Sequence, residues 1–288
     1  MPIEAVAAAG AEMRLPAGLA MPFVGMSRTS QSTTSLMLAS AAAMGVIMLS
    51  CTTVPDVGRR SLNFIPGSHL NEMGLTEFEK IKSEKRRSSN ASQTAAVNRV
   101  SERLQRIVPM PDARWEFVLF DDGSPNAFAL PGGKVGVNTG IFKVARNDAQ
   151  LAAVLGHELA HVVAGHSGER MSTGILGAVG VAVLDAALGA DRSTESRATT
   201  SAAAGAAVGL GMLRFSRGQE LEADKLGALY MARAGYDPQE SIQLWQNFAA
   251  ERSQDGSRTP AFLSTHPLDS TRIESLRAFM PQALAEYR

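Results

Sequence analysis

The sequence predicts an α+β protein, mostly α-helical, with one small β-sheet packed on a helix that carries a His-Glu-x-x-His motif. Three observations predict it. Residues 156–166, Gly-His-Glu-Leu-Ala-His-Val-Val-Ala-Gly-His, fall where Leu151, Val154, Leu155, Leu159 and Val162 recur at helical spacing behind Asn147 and Gln150, a capping box. Similar helix openings recur at Thr76 with Glu79, at Ser216 with Gln219 and at Asp237-Pro238. A single stretch, 115–140, is aromatic, β-branched and broken by turn residues.

The motif helix is expected over about Asp148 to Met171. His157 and His161 lie four residues apart, about 40° around the helix axis and one turn along it, so both ring nitrogens can reach one metal ion. Glu158 then stands beside the open coordination position, where a carboxylate can take a proton from water acidified by the metal. The competing reading is an amphipathic core helix with incidental histidines. His166 misses by one place the longer pattern that draws a third ligand from the same segment, and on a continuous helix it lies about 140° from His161. It reads as a helix-end or surface histidine, and the third ligand must come from further along.

The chain has 288 residues, 45% of them hydrophobic and 19% charged, enough for one sizeable core. Lys plus Arg equals Asp plus Glu at 28 each, and the densest basic run, Lys82 to Arg87, is interrupted by Ser83 and Glu84. That excludes a nucleic-acid footprint and reads as a solvated helix face. A single cysteine, Cys51, permits no internal disulfide and leaves metal binding to His and carboxylate.

Leu36 to Ser50 is uncharged and apolar, short for a membrane span but suited to the apolar core of an export signal. Its Leu-Ser-Cys ending resembles a bacterial lipoprotein cleavage box, with Cys51 as the lipidated residue. The acidic preface, Glu4 and Glu12, fits such a signal better if translation starts at Met21 or Met26. The expected organisation is an export segment over 1–51, an irregular tether over 52–71 and one domain over 72–288. The expected location is the bacterial periplasm, with the lipid anchored in a membrane, the outer one by preference.

Within the domain, a helix is expected from Thr76 to about Arg87 and a second through Val97, Val100, Leu104 and Ile107, ended by Pro109. Trp115 to Phe120 reads as a strand. Asn126-Ala127-Phe128-Ala129-Leu130 and Val135 to Val137 read as a hairpin around Pro131-Gly132-Gly133, whose edge an extended peptide could join. The Gly- and Ala-rich tract 174–213, split by Asp191 to Arg197, reads as two close-packed helices over the site, Asp185 opposing a membrane span. A helix from Ser216 to about Gly235, one opened by Asp237-Pro238, and one bearing Ile273, Leu276 and Met280 complete the chain.

Together, His157-Glu158-x-x-His161, Ser216-Arg217-x-x-Glu220-x-Glu222-Ala223-Asp224, the Asn126 to Gly133 hairpin and Thr265-His266-Pro267 resemble the HtpX-like and BepA-like zinc metallopeptidases, the family that also holds the CaaX prenyl proteases. The resemblance spans about residue 60 to the C-terminus. It implies a gluzincin endopeptidase domain holding one zinc ion through His157, His161 and Glu220, similar to the periplasmic lipoprotein branch, with unfolded or misassembled envelope proteins as substrates. His266 becomes a candidate oxyanion donor, or a fourth ligand that keeps the site latent. A zinc-stabilised chaperone or assembly factor is the alternative.

Two acids compete in that segment. Glu220 and Glu222 stand about 200° apart on a helix and cannot both face one metal. With Glu220 as ligand, Asp224 lies one turn on, placed to accept the free N–H of a bound imidazole. Glu222 has Leu226 in the corresponding place and is expected on a solvated or salt-bridged face.

Overall fold

The computed structural model describes residues 51–188, 215–254 and 260–287. Residues 1–50, which hold most of the expected export segment, lie outside the described residues, as does 189–214, the second half of the Gly- and Ala-rich tract.

Residues 52–71 do not form the irregular tether that their composition predicts. Strands β1 (Cys51–Thr53) and β2 (Arg60–Leu62) pair antiparallel with Cys51 opposite Leu62. The Pro-Gly-rich stretch between them is their turn: Asp56 and Gly58 take φ of 63° and 68°, and Val54 N–H donates to Arg59 O at 2.8 Å. Helix α1 (Gly67–Glu84) begins well before Thr76, so the Thr76-Glu79 pair lies inside a helix. Its buried stripe of Leu70, Gly74 and Phe78 extends upstream of that pair, and burial outweighs the local cap signal. A domain starting at residue 72 would cut this helix and omit the hairpin.

Helix α2 (Ala91–Gln105) is capped by Asn90, which accepts from Gln93 N–H, and buries Val97, Val100 and Leu104. The sheet holds β3 (Glu116–Phe120), β4 (Ala127–Leu130) and β5 (Lys134–Asn138) in the order β3-β5-β4. Strand β5 is buried throughout, parallel to β3 and antiparallel to β4, which leaves β4 as an edge.

A 3-10 turn (Thr139–Lys143) leads into α3 (Asp148–Val163), where Asn147 accepts from Gln150 N–H at 2.8 Å. The helix stops eight residues short of its expected end because Gly165 turns left-handed at φ 67°, and α4 (His166–Leu188) starts afresh. Helix α5 (Arg217–Arg233) opens with a complete capping box between Ser216 and Gln219. Helices α6 (Glu240–Gln254), α7 (Ala261–Thr265) and α8 (Ser270–Ala285) follow, the last capped by Asp269.

Helix α3 is the axis of the core, with every residue from Gln150 to His161 buried. It crosses α5 at Gly156 and Gly227. A Cβ on Gly227 would come within 2.8 Å of His157 N, and one on Gly156 within 3.0 Å of Gly227 O. The two backbones therefore touch one residue from the first histidine, which brings the acids of α5 beside the histidines of α3. No described helix is long and apolar enough to cross a membrane.

Candidate metal centre

Four side chains from three elements converge. Helix α3 supplies His157 and His161, α5 supplies Glu220, and the residue that ends α7 is His266. His161 Nε2 stands 3.1 Å from His157 Nε2 and 3.4 Å from Glu220 Oε1. His266 Nδ1 lies 3.3 Å from His157 Nε2 and 2.9 Å from Glu220 Oε1. One ligand atom from each lies within 4.8 Å of the others, and all four residues are buried. Three imidazole nitrogens and a carboxylate crowding one buried point form the donor set of a zinc site, and the residues fit such an ion.

Glu158 faces the same point. Its Oε2 accepts from Ala129 N–H of β4 at 3.0 Å; its Oε1 lies 3.4 Å from His266 Nε2 and is buried without a hydrogen-bond partner. Burial pushes the Glu158 carboxyl above the usual range, against the pull of His266 and His157. The bond to Ala129 also orients the sheet edge. Ala127 and Ala129 share one alternation of β4 and direct their backbone away from β5, whereas Asn126 O accepts from Asn138 N–H of the segment ending β5. Of the three residues Asn126, Ala127 and Phe128, Ala127 is thus the one whose backbone points away from β5, but the residue is buried; the Phe128 ring stacks against Phe120.

His157 is backed by Asp224, whose Oδ1 stands 2.9 Å from Nδ1. Burial disfavours a charged His157, yet Asp224 and Glu220 push it up to about 9. Behind Asp224 lies Arg272, which donates to both its oxygens at 2.8 and 2.7 Å and reaches Glu220 Oε2 at 2.8 Å. Arg272 is 1% exposed and covers Trp245, its guanidinium 3.9 Å from the ring centroid. Against burial, its charge holds Asp224 below the usual carboxylate range, and three imidazoles hold Glu220 below it as well. Sequence reasoning missed Arg272. The available signal was its register, four residues before Leu276 and eight before Met280, in the apolar stripe of α8.

His161 is backed differently. His166 is not at the surface but fully buried, its Nδ1 2.8 Å from His161 Nδ1 and its Nε2 3.0 Å from Glu222 Oε2. The break at Gly165 explains the difference, because a new helix begins at His166 and the angle expected of a continuous helix does not apply. Glu222 does carry an ion pair, with Arg59 Nε at 2.8 Å, but it is 9% exposed and lies on no solvated face. Burial pushes its carboxyl up, and His166 and Arg59 outweigh that and lower it. Phe215 and Phe262 stack on the two faces of the His266 ring, with centroids at 4.9 and 4.5 Å.

The profile described as Peptidase family M48 matches residues 91–280. The chain is similar to the mitochondrial metalloendopeptidase OMA1 of Schizosaccharomyces pombe, 36% identical over 234 residues that make up 80% of this chain and 66% of the relative. The OMA1 of Saccharomyces cerevisiae is 37% identical over 177 residues, 59% of this chain and 48% of the relative. The beta-barrel assembly-enhancing protease of Escherichia coli is 27% identical over 238 residues, 79% of this chain and 47% of the relative. The chain thus spans between about half and two thirds of the length of these relatives.

These matches correct the expected location. The relatives with the higher identity are mitochondrial, and the bacterial protease stands further off, so a periplasmic lipoprotein anchored through Cys51 is overturned. An apolar run ending in Leu-Ser-Cys is too short a signal to carry that conclusion, and Cys51 itself is the first residue of β1.

Proposed function

The chain belongs to peptidase family M48, and from that premise we propose that it is a zinc-dependent metalloendopeptidase whose ion is held by His157, His161 and Glu220. The observation that carries the reading is the pairing of this buried ligand group with Glu158, a carboxylate whose free oxygen faces it and whose pKa burial raises. When bound, zinc supplies the positive charge that polarises a peptide carbonyl and acidifies water. Glu158 takes the proton of the attacking water and returns it to the leaving amine. An extended polypeptide is read as lying along the β4 edge beside the half-buried Ala129, whose N–H is held by Glu158, which brings a peptide bond to Glu158. Unfolded or misassembled proteins suit this mode, because a folded chain has few free extended segments.

His266 is read as the fourth ligand of a latent state, its Nδ1 within the ligand group and its ring held between two phenyl rings. Moving away, it would free the position that a substrate carbonyl needs. A chaperone with a structural zinc is the second reading. The orientation of Glu158 opposes it, since a structural site needs no base.

The test is cleavage of casein by the full chain, with and without chelator, beside Glu158→Gln and His266→Ala. Glu158→Gln should keep zinc and lose cleavage; retained cleavage refutes the assignment. His266→Ala should raise turnover by releasing the latch, and lowered turnover would make His266 an oxyanion donor instead.

A further inference from the structure

Resting on that zinc-site reading, we propose that His166 is a positioning residue which fixes the metal-competent tautomer of His161, and that Arg59 of the N-terminal hairpin sets it through Glu222. His161 Nε2 faces the ligand group, so its other nitrogen, Nδ1, is the one that meets His166 Nδ1 at 2.8 Å. Two ring nitrogens share a hydrogen bond only when one carries a proton and the other does not.

For a neutral His166 the far end of the relay decides which. His166 Nε2 stands 3.0 Å from Glu222 Oε2, a carboxylate oxygen that can only accept, so His166 carries its proton on Nε2. A neutral His166 then has a bare Nδ1. His161 must donate to it from Nδ1, which leaves His161 Nε2 bare and aimed at the ligand group. The relay therefore prepares His161 for the ion before any ion arrives.

Arg59 keeps Glu222 an acceptor. Its Nε donates to Glu222 at 2.8 Å, and its two terminal nitrogens grip Glu169 of α4 at 2.7 and 3.0 Å. Gln219, the residue that completes the cap of α5, donates to the same Glu169 at 3.0 Å. The hairpin, the start of α4 and the start of α5 are thus joined at one point, three side chains from the metal ligand. No step of this relay needs His166 to touch substrate or ion.

The test uses the full chain stripped of metal, with zinc affinity read by competition with a coloured chelator and the His161 tautomer read by nitrogen NMR. His166→Phe keeps a ring and removes both hydrogen bonds; it should bind zinc roughly 10–100-fold more weakly, the usual effect of losing an outer partner of a ligand. It should also let the metal-free His161 populate both tautomers. His166→Gln, with an amide oxygen for His161 and an amide N–H for Glu222, should recover most of the loss, which a merely space-filling role would not predict.

Equal zinc affinity in wild type and His166→Phe overturns the proposal, as does a Gln variant no better than the Phe variant. Should His166→Phe not fold, Glu222→Gln decides, because an amide no longer requires a donor at His166 Nε2. A mixed His161 tautomer and weaker zinc support the relay there; an unchanged tautomer and affinity overturn it. A wild-type chain that takes up no zinc overturns the metal-site reading itself, a result distinct from all of these.

Discussion

The two histidines of α3 are supported by outer shells that follow the same logic and differ in depth. Behind His157 stand Asp224 and then Arg272, all sealed inside the protein. Behind His161 stand His166, Glu222 and then Arg59, whose side chain is 37% exposed. In both, the outward ring nitrogen of the histidine stands 2.9 or 2.8 Å from a polar side chain and a carboxylate is paired with an arginine. The buried arm is rigid because each of its charges has lost water and depends on the other. The longer arm ends at the surface, where water can replace a lost partner, so it orients its histidine at little cost to the fold.

This difference can be broken most forcefully at Arg272. Arg272→Met leaves Glu220 and Asp224 buried without their cation, and removing one partner of a buried pair costs about 3–5 kcal/mol. Urea unfolding of the metal-free protein should show that loss, and a midpoint near wild type would mean that water reaches this arm. A smaller effect is expected one step nearer the site. Asp224→Asn keeps the shape and lets His157 turn, weakening zinc by roughly 10–100-fold with the chain still folded; chelator competition checks it.

The smallest effect on stability is expected at Arg59. Arg59 is 37% exposed, so water can reach the site of a lost guanidinium, and at the about 0–1 kcal/mol of an ion pair open to water Arg59→Met should leave the urea midpoint almost in place while zinc affinity falls. Equal losses of stability from Arg59→Met and Arg272→Met would erase the distinction between the arms.

Much of this was legible because it is local. Asn147 and Ser216 announce α3 and α5 by cap chemistry that needs only four consecutive residues, and the spacing of His157 and His161 places both on one helix face. The Asn126 to Asn138 hairpin follows from Pro131-Gly132-Gly133 between alternating segments. The start of α1 was misplaced because Thr76-x-x-Glu79 is a four-residue pattern and the burial of Leu70 is not.

The sequence by itself determined that His157 and His161 share one helix face and that Glu220, not Glu222, shares one with Asp224, because helix geometry fixes which side chains stand together. Only the tertiary structure decided what stands behind them. Arg272 reaches Asp224 across 48 residues of chain, and Arg59 reaches Glu222 across 163. His166 turns inward through one left-handed glycine, Gly165, and α3 approaches α5 closely at Gly156 and Gly227, where no Cβ holds them apart. Such contacts join segments whose separation no local period encodes, and burial, which makes a charge demand its partner, exists only once those segments have packed together.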